Sequence, residues 1–228
     1  MEQSDNHSAG SIVQFYAPKL EAYDEMYAGQ GEMLPHWQAL MQELDQLGRE
    51  GLERRHQEAQ RLMRENGVTF NIYDGLSGAA RPWKLDPIPL FISAEEWSVI
   101  EAGLIQRAEL LNLILTDIYG PQRLIKEGLL PPELVFAHAG FQRCCVGTIT
   151  AGDRSLTLCS SNLARGPDGR MWVIDDRAQS PSGAGYALEN RMVMTRIAPA
   201  LFRDCHVRRL AGFFQPLRDR LANLAPQN

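Results

Sequence analysis

The chain has 228 residues, a formal net charge of −5, and 44% hydrophobic against 22% charged residues, the proportions of a globular core with a solvated surface. That balance excludes collagen-like, wholly disordered and disulfide-framework classes, and no apolar run reaches the roughly 20 residues of a membrane-spanning helix. An acidic total with a pI near 5.6 argues against general nucleic-acid binding, which calls for a basic face.

The charge is unevenly spread. Residues 1–149 hold 12 Lys and Arg against 21 Asp and Glu, whereas residues 150–228 hold 11 against 7 and contain no lysine at all. An arginine-rich, lysine-free half offers rigid forks of donors suited to carboxylates and phosphates; a solvated surface explains the same counts. The four cysteines, Cys144, Cys145, Cys159 and Cys205, include an adjacent pair and no C-x-x-C spacing, so they are expected as reduced, mostly buried thiols. Met1 to His7 lack the basic and apolar regions of a secretory signal, and a cytoplasmic protein is expected.

Residues 1–34 mix Gly, Ser and acidic residues with isolated aromatics and read as a partly ordered arm. Pro35 suits the first position of a helix. Leu40, Leu44 and Leu47 carry that helix forward, a charged stretch from Arg49 continues it as a surface helix with a thin apolar stripe, and Asn66-Gly67 ends it. Two segments of strand character follow, Val68–Tyr73 and Leu90–Ile92, and the prolines at 82, 87 and 89 hold the chain between them extended. Ser93 and Glu96 form a capping box ahead of Trp97, Ile100, Leu104, Ile105, Ala108, Leu111, Leu115 and Ile118, which predicts a helix to about Tyr119, where Gly120-Pro121 stops it. Shorter helices are expected at Gln122–Glu127 and Pro132–Phe136. These make a mainly helical region, 35–137.

From residue 138 to 228 an α+β segment is expected. Strands are predicted over Phe141–Thr150 and Ser155–Cys159. The turn Gly166-Pro167-Asp168-Gly169 then leads into Met171–Asp175, making a β-hairpin over 155–176. The small-residue loop Ser180–Gly185 enters a helix from about Tyr186 to Ile197, and a last helix covers Phe213–Leu224. The whole chain reads as α+β.

Nucleotide-binding, zinc-protease and serine-hydrolase motifs are lacking. Chemistry concentrates at the hairpin end, where Asp175 and Asp176 could hold Mg²⁺, a hard cation that takes one or two carboxylates plus substrate phosphates. The Pro181-Ser182-Gly183 loop beyond it offers backbone N–H groups to an anion at the start of a helix. An ordinary turn and an ordinary helix cap account for the same residues.

Several blocks carry a family resemblance: Arg81-Pro82-Trp83-Lys84-Leu85-Asp86-Pro87-Ile88-Pro89, Glu96-Trp97, Gly103 to Arg107, Leu111-Asn112, Asp117 to Gly120, and Pro181 to Arg191. In this order they resemble the N-terminal region of circularly permuted ATP-grasp proteins, most closely the long bacterial chains that add an α-helical, glutamate-rich domain. The resemblance implies part of an ATP-grasp fold and ATP-dependent joining of a carboxylate to an amine through an acyl-phosphate, with ATP and Mg²⁺ as cofactors. It places Asp175 at a metal-binding glutamate, Arg177 at an asparagine and Asn162 at an aspartate. It further implies metal contacts for Asp175 and Asp176, substrate contacts for Pro181, Ser182, Gly183 and Asn190, and catalytic roles for Arg177 and Arg191. Asn190 and Arg191 serve equally well to tie the helix in place.

The family's nucleotide-gripping segment lies later than residue 228. The chain is therefore expected to be inactive alone and to need that segment, in the same chain or in trans. The other class of function is a non-catalytic interaction module derived from the family. Trp83, locked in its proline-rich segment, is expected to fill a gap in the packing; contact with a ligand cleft is the alternative.

Overall fold

A computed structural model of the chain describes residues 16–17, 22–28, 31–71, 80–148 and 154–225. The elements in chain order are β1 (Tyr27–Ala28), β2 (Glu32–Met33), α1 (Pro35–Glu65), β3 (Thr69–Asn71), β4 (Ala80–Pro82), α2 (Ala94–Ile118), α3 (Arg123–Lys126), α4 (Pro132–Phe136), β5 (Ser160–Arg165), β6 (Met171–Arg177), α5 (Ala184–Ile197), α6 (Pro199–Asp204) and α7 (Ala211–Leu224). The fold is α+β, with its strands in three two-stranded sheets: β1 with β2, β3 with β4, and β5 with β6. No helix among the described residues is long and apolar enough to cross a membrane.

The chain divides into two compact units that are discontinuous in sequence. The first comprises residues up to Ser93, the turn Arg165–Arg170 and Gly183–Leu210; the second comprises Ala94–Ala164, Met171–Ser182 and Ala211 onward.

In the first unit, α1 supplies most of the core. It is not one straight rod: Gly48 sits at φ 60°, ψ 179°, where the helical ladder breaks and a side chain would be strained. Arg55 Nη1 reaches Glu43 Oε1 at 2.7 Å, although twelve residues of straight helix would separate them by about 18 Å. The two halves therefore double back as a helical hairpin. This corrects the expectation of a continuous helix with a surface-bound second half. Ala59 and Met63 are fully buried and Leu62 nearly so, in one cluster with Leu40, Leu44, Val193, Ile197 and Leu201 of α5 and α6. The second half reconciles its high charge with burial because most of its acids and arginines keep to the opposite face, where Arg61 pairs with Glu58 and Glu65, while Arg55 turns to Glu43 of the first half.

β3 pairs antiparallel with β4, Thr69 opposite Pro82 and Phe70 opposite Arg81. The strand expected at Leu90–Ile92 does not form. Phe91 instead meets Trp37 edge-on at 5.4 Å and packs against the core, so its apolar character serves helix packing. Residues 72–73 of the other expected strand, and 1–15 of the expected arm, lie outside the described residues; Met26 and the β1–β2 pair belong to the first unit, and Met26 is buried in its core.

In the second unit, α2 runs as its capping box and stripe predict. Asp117 at its end caps α3 through the backbone N–H groups of Arg123 and Leu124, at 2.9 and 3.0 Å. The strand expected over Phe141–Thr150 is corrected to a short 3-10 turn at Arg143–Cys145; no strand among the described residues pairs with this segment, and 149–150 lie outside the described residues. The hairpin exists, but its first strand is Ser160–Arg165 and not Ser155–Cys159. α2 claims the earlier residues: Leu156 N donates to Asn112 Oδ1 at 2.9 Å, and the Ser155 and Thr116 hydroxyls meet at 3.1 Å.

The cysteines are free, as expected, but not mostly buried. Cys144 and Cys145 are exposed and Cys159 and Cys205 half-buried, because the adjacent pair sits on the surface 3-10 turn.

Candidate functional site

The residues singled out by sequence fall on two elements and their connecting loop. Strand alternation puts Asp175 and Asp176 on opposite faces of β6, and their partners differ accordingly. Asp175 is exposed and accepts a hydrogen bond from Asn162 Nδ2 of β5 at 2.8 Å. Asp176 is half-buried with both oxygens engaged: Oδ2 takes Arg107 Nε at 2.7 Å and Nη2 at 2.6 Å, while Oδ1 accepts from Ser161 Oγ at 2.7 Å. The Arg107 hydrogen bond first, then that of Ser161, holds the Asp176 carboxyl below its usual range. Arg177, at the end of β6, is exposed and has no hydrogen-bond or ion-pair partner among the described residues.

No group of three or more His, Cys, Asp and Glu side chains is close enough to hold a metal among the described residues. Asp175, with Asn162 beside it, fits the small share of ligands that Mg²⁺ takes from protein when phosphates supply the rest. Asp176 is already paired with the Arg107 guanidinium and the Ser161 hydroxyl, which makes it the poorer metal ligand of the two.

Past β6 the backbone takes two left-handed turns, at Ser180 (φ 46°) and Gly183 (φ 120°). Gly183 is the N-cap of α5 and no side chain caps the helix, so its first N–H groups have no partner inside it. Pro181 is half-buried, and Ser182 and Gly183 are exposed.

On α5, Asn190 Oδ1 accepts the indole Nε1–H of Trp83 at 2.8 Å. Trp83 stacks on Tyr186 at 4.4 Å and meets Phe70 edge-on at 6.1 Å, and the Tyr186 hydroxyl donates to the Thr69 carbonyl at 2.7 Å. Trp83 is thus a packing residue that fastens α5 to β3 and β4, and Asn190 is its anchor. Arg191 is half-buried, lies 5.5 Å above the Phe202 ring and has no carboxylate partner among the described residues. Burial pushes its pKa down. A guanidinium stripped of part of its water and given no counter-ion is a ready partner for an anion.

The roles of Arg107, Ser161 and Asn112 were missed in the sequence. Arg107 and Asn112 lie in the blocks that carry the family resemblance, and the structure uses them as internal ties. Burial raises the Cys159 and Cys205 thiols, and a hydrogen bond to Cys144 raises Cys145. A shallow concavity of the first unit, lined by Leu40, Leu44, Leu52, Ile197 and Leu201 together with Glu43 and Arg55, includes none of the candidate residues.

Residues 89–228 match the model of circularly permuted ATP-grasp type 2 proteins, and the chain belongs to that family. An uncharacterized protein of Mycobacterium tuberculosis is 39% identical over 212 residues, covering 90% of this chain and 24% of that protein. An uncharacterized protein of Synechocystis is 35% identical over 204 residues, covering 90% of this chain and 42% of that one. One of Mycobacterium leprae is 34% identical over 207 residues, covering 91% and 36%. The chain thus spans between about a quarter and two fifths of the length of these relatives.

Proposed function

We propose that this chain is the portion of an ATP-grasp ligase that receives a carboxylate and balances the charge of its phosphorylated form, in the ATP-dependent joining of a carboxylate to an amine. The observation that carries this reading is that the family match includes β5–β6, the Pro181–Gly183 loop and α5 together.

The chemistry assigns a task to each group. A carboxylate oxygen attacks the γ-phosphorus of ATP and ADP leaves; the amine nitrogen then attacks the acyl carbon, phosphate departs and the amine proton is lost to a base. The open N–H groups at Gly183 and the hydroxyl of Ser182 receive the carboxylate, where the helix end favours negative charge. Arg191 offsets the charge of the acyl-phosphate, and a preset cation in a partly dry place does this more effectively than one in water. Asn190 keeps α5 at its station through Trp83. Arg177 is free to meet a phosphate. Asp175 provides an oxygen for Mg²⁺, which when bound shields the phosphate charge against the incoming oxygen.

The test is a chimera in which this chain replaces the aligned stretch of the Synechocystis relative, assayed with L-glutamate, L-aspartate and short peptides as carboxylates. Carboxylate-dependent exchange of ¹⁸O between the bridging and non-bridging positions of ATP is expected, falling at least tenfold in Ser182→Ala and Arg191→Met with folding intact. Exchange absent from both chimera and intact relative, or unaffected by both substitutions, refutes the reading. The engagement of both Asp176 oxygens favours a second reading, a non-catalytic interaction module; there the chimera folds and never turns over ATP.

A further inference from the structure

In the second unit, α2 is apolar on two opposite faces. Ile100, Leu104, Ala108, Leu111 and Leu115 form one stripe and are half-buried. Val99, Leu110 and Leu113 stand about half a turn round the axis at roughly 100° per residue, and they are 76%, 56% and 65% exposed. With Gly103 and Gln106 between them their spacing is 4, 3, 4, 3, a second packing seam. No residue of this 25-residue helix is fully buried. A surface helix needs one apolar face; a helix with two is written for the middle of a domain, with a layer on each side.

The hairpin of the same unit shows the same incompleteness. β5 and β6 form a two-stranded sheet, an arrangement marginal in water without further strands or a covering layer. Trp172 and Ile174, on one face of β6 by alternation, are 56% and 65% exposed.

We propose that Val99, Leu110 and Leu113 of α2, with Trp172 and Ile174 of β6, are the docking surface for the polypeptide that the longer relatives carry outside the aligned stretch: an apolar layer that packs on the α2 seam, and at least one strand that extends the β5–β6 sheet. Length selects this occupant over a second copy of the chain. More than half of each relative lies outside the aligned stretch, ample to supply both a layer and strands. The inference rests on the reading that this chain is one portion of an ATP-grasp protein.

The test is co-expression of the 228-residue chain with the Synechocystis polypeptide outside the aligned stretch, without nucleotide. Light scattering is expected to show a one-to-one complex, hydrogen exchange to slow at 99–113 and 171–177, and Val99→Glu/Leu113→Glu to weaken the complex at least tenfold. On the chain alone, the double variant is expected to remain monomeric with an unchanged urea midpoint, because the seam is uncovered. Failure to recover a complex, a complex indifferent to the double variant, or a lowered midpoint of the variant chain alone overturns the proposal. So does a dimer of the unmixed chain that the double variant dissociates, which gives the surface to a second copy. A complex that forms but never turns over ATP leaves this surface standing and removes the ligase reading alone.

Discussion

Trp83→Phe removes the indole N–H while leaving an aromatic ring against Tyr186 and Phe70. The hydrogen bond to Asn190, at 2.8 Å and partly buried, is worth about 1 kcal/mol net. The smaller ring sacrifices part of the stacking, at most about 1 kcal/mol more. Trp83→Phe should therefore destabilise the chain by about 1–2 kcal/mol. Asn190→Ala should cost about 1 kcal/mol by losing the same bond, and Trp83→Ala about 3 kcal/mol, the low end for a large aromatic because the site is only half-buried. The decisive quantity is the coupling. If the two side chains act through one bond, the double variant Trp83→Phe/Asn190→Ala loses about 1 kcal/mol less than the sum of the single losses. Urea unfolding followed by far-ultraviolet circular dichroism gives all four stabilities. Additivity within about 0.3 kcal/mol would refute the bond as the link between α5 and the proline-rich segment. A Trp83→Ala protein of unchanged stability would refute the packing role altogether.

Two further substitutions test the hairpin from its turn and from its strand. Gly169 has φ 79°, and a Cβ there would come within 2.6 Å of the Tyr23 ring, which lies under Arg165; Gly169→Ala should cost about 1–3 kcal/mol from backbone strain, more with the ring displaced. In a Tyr23→Ala background the ring's share should vanish and the strain remain; an equal urea midpoint for Gly169→Ala and the parent chain contradicts this. Asp176 has a carboxyl held below its ordinary value by Arg107, so its contribution to stability is complete above the unfolded carboxylate pKa of about 3.9 and is lost as pH falls through the lower folded value. Arg107→Met should raise the Asp176 pKa toward the ordinary range and flatten that acid loss of stability, with Ser161 preserving part of the shift. Carboxyl ¹³C titration reads it directly, and an Asp176 pKa unmoved by Arg107→Met is the contrary result.

The long elements were legible because their signals are local. Pro35 opens α1 and the Ser93–Glu96 box precedes α2, whose first stripe recurs at helical spacing; none of this needs distant residues. What escaped depends on distance or on a single backbone angle. Gly48 and Gly51 lie in a stretch of strong helix formers, and only the positive φ at Gly48 makes the chain reverse there. The first strand of the hairpin slipped from 155–159 to 160–165 because Asn112 and Thr116 of α2 capture Ser155 and Leu156. The candidate site is divided the same way. Trp83 meets Asn190 across 107 residues and Arg107 meets Asp176 across 69, so neither tie leaves a local trace. The separation of Asp175 from Asp176 was readable, since neighbours on a strand face opposite ways.

The first unit's core joins α1 to α5 and α6, and that has a consequence during synthesis. Roughly 120 residues lie between Glu65 and Ala184. At about 5–20 residues per second, Leu40, Ala59 and Met63 are made about 7–31 s before Val193 and Ile197 exist to cover them. The helical hairpin must persist through that interval with its apolar side bare, a window in which a growing chain invites chaperones or aggregation. The Glu43–Arg55 ion pair, local to α1 and formed without any later residue, is positioned to keep its two halves folded against each other while the nascent chain waits.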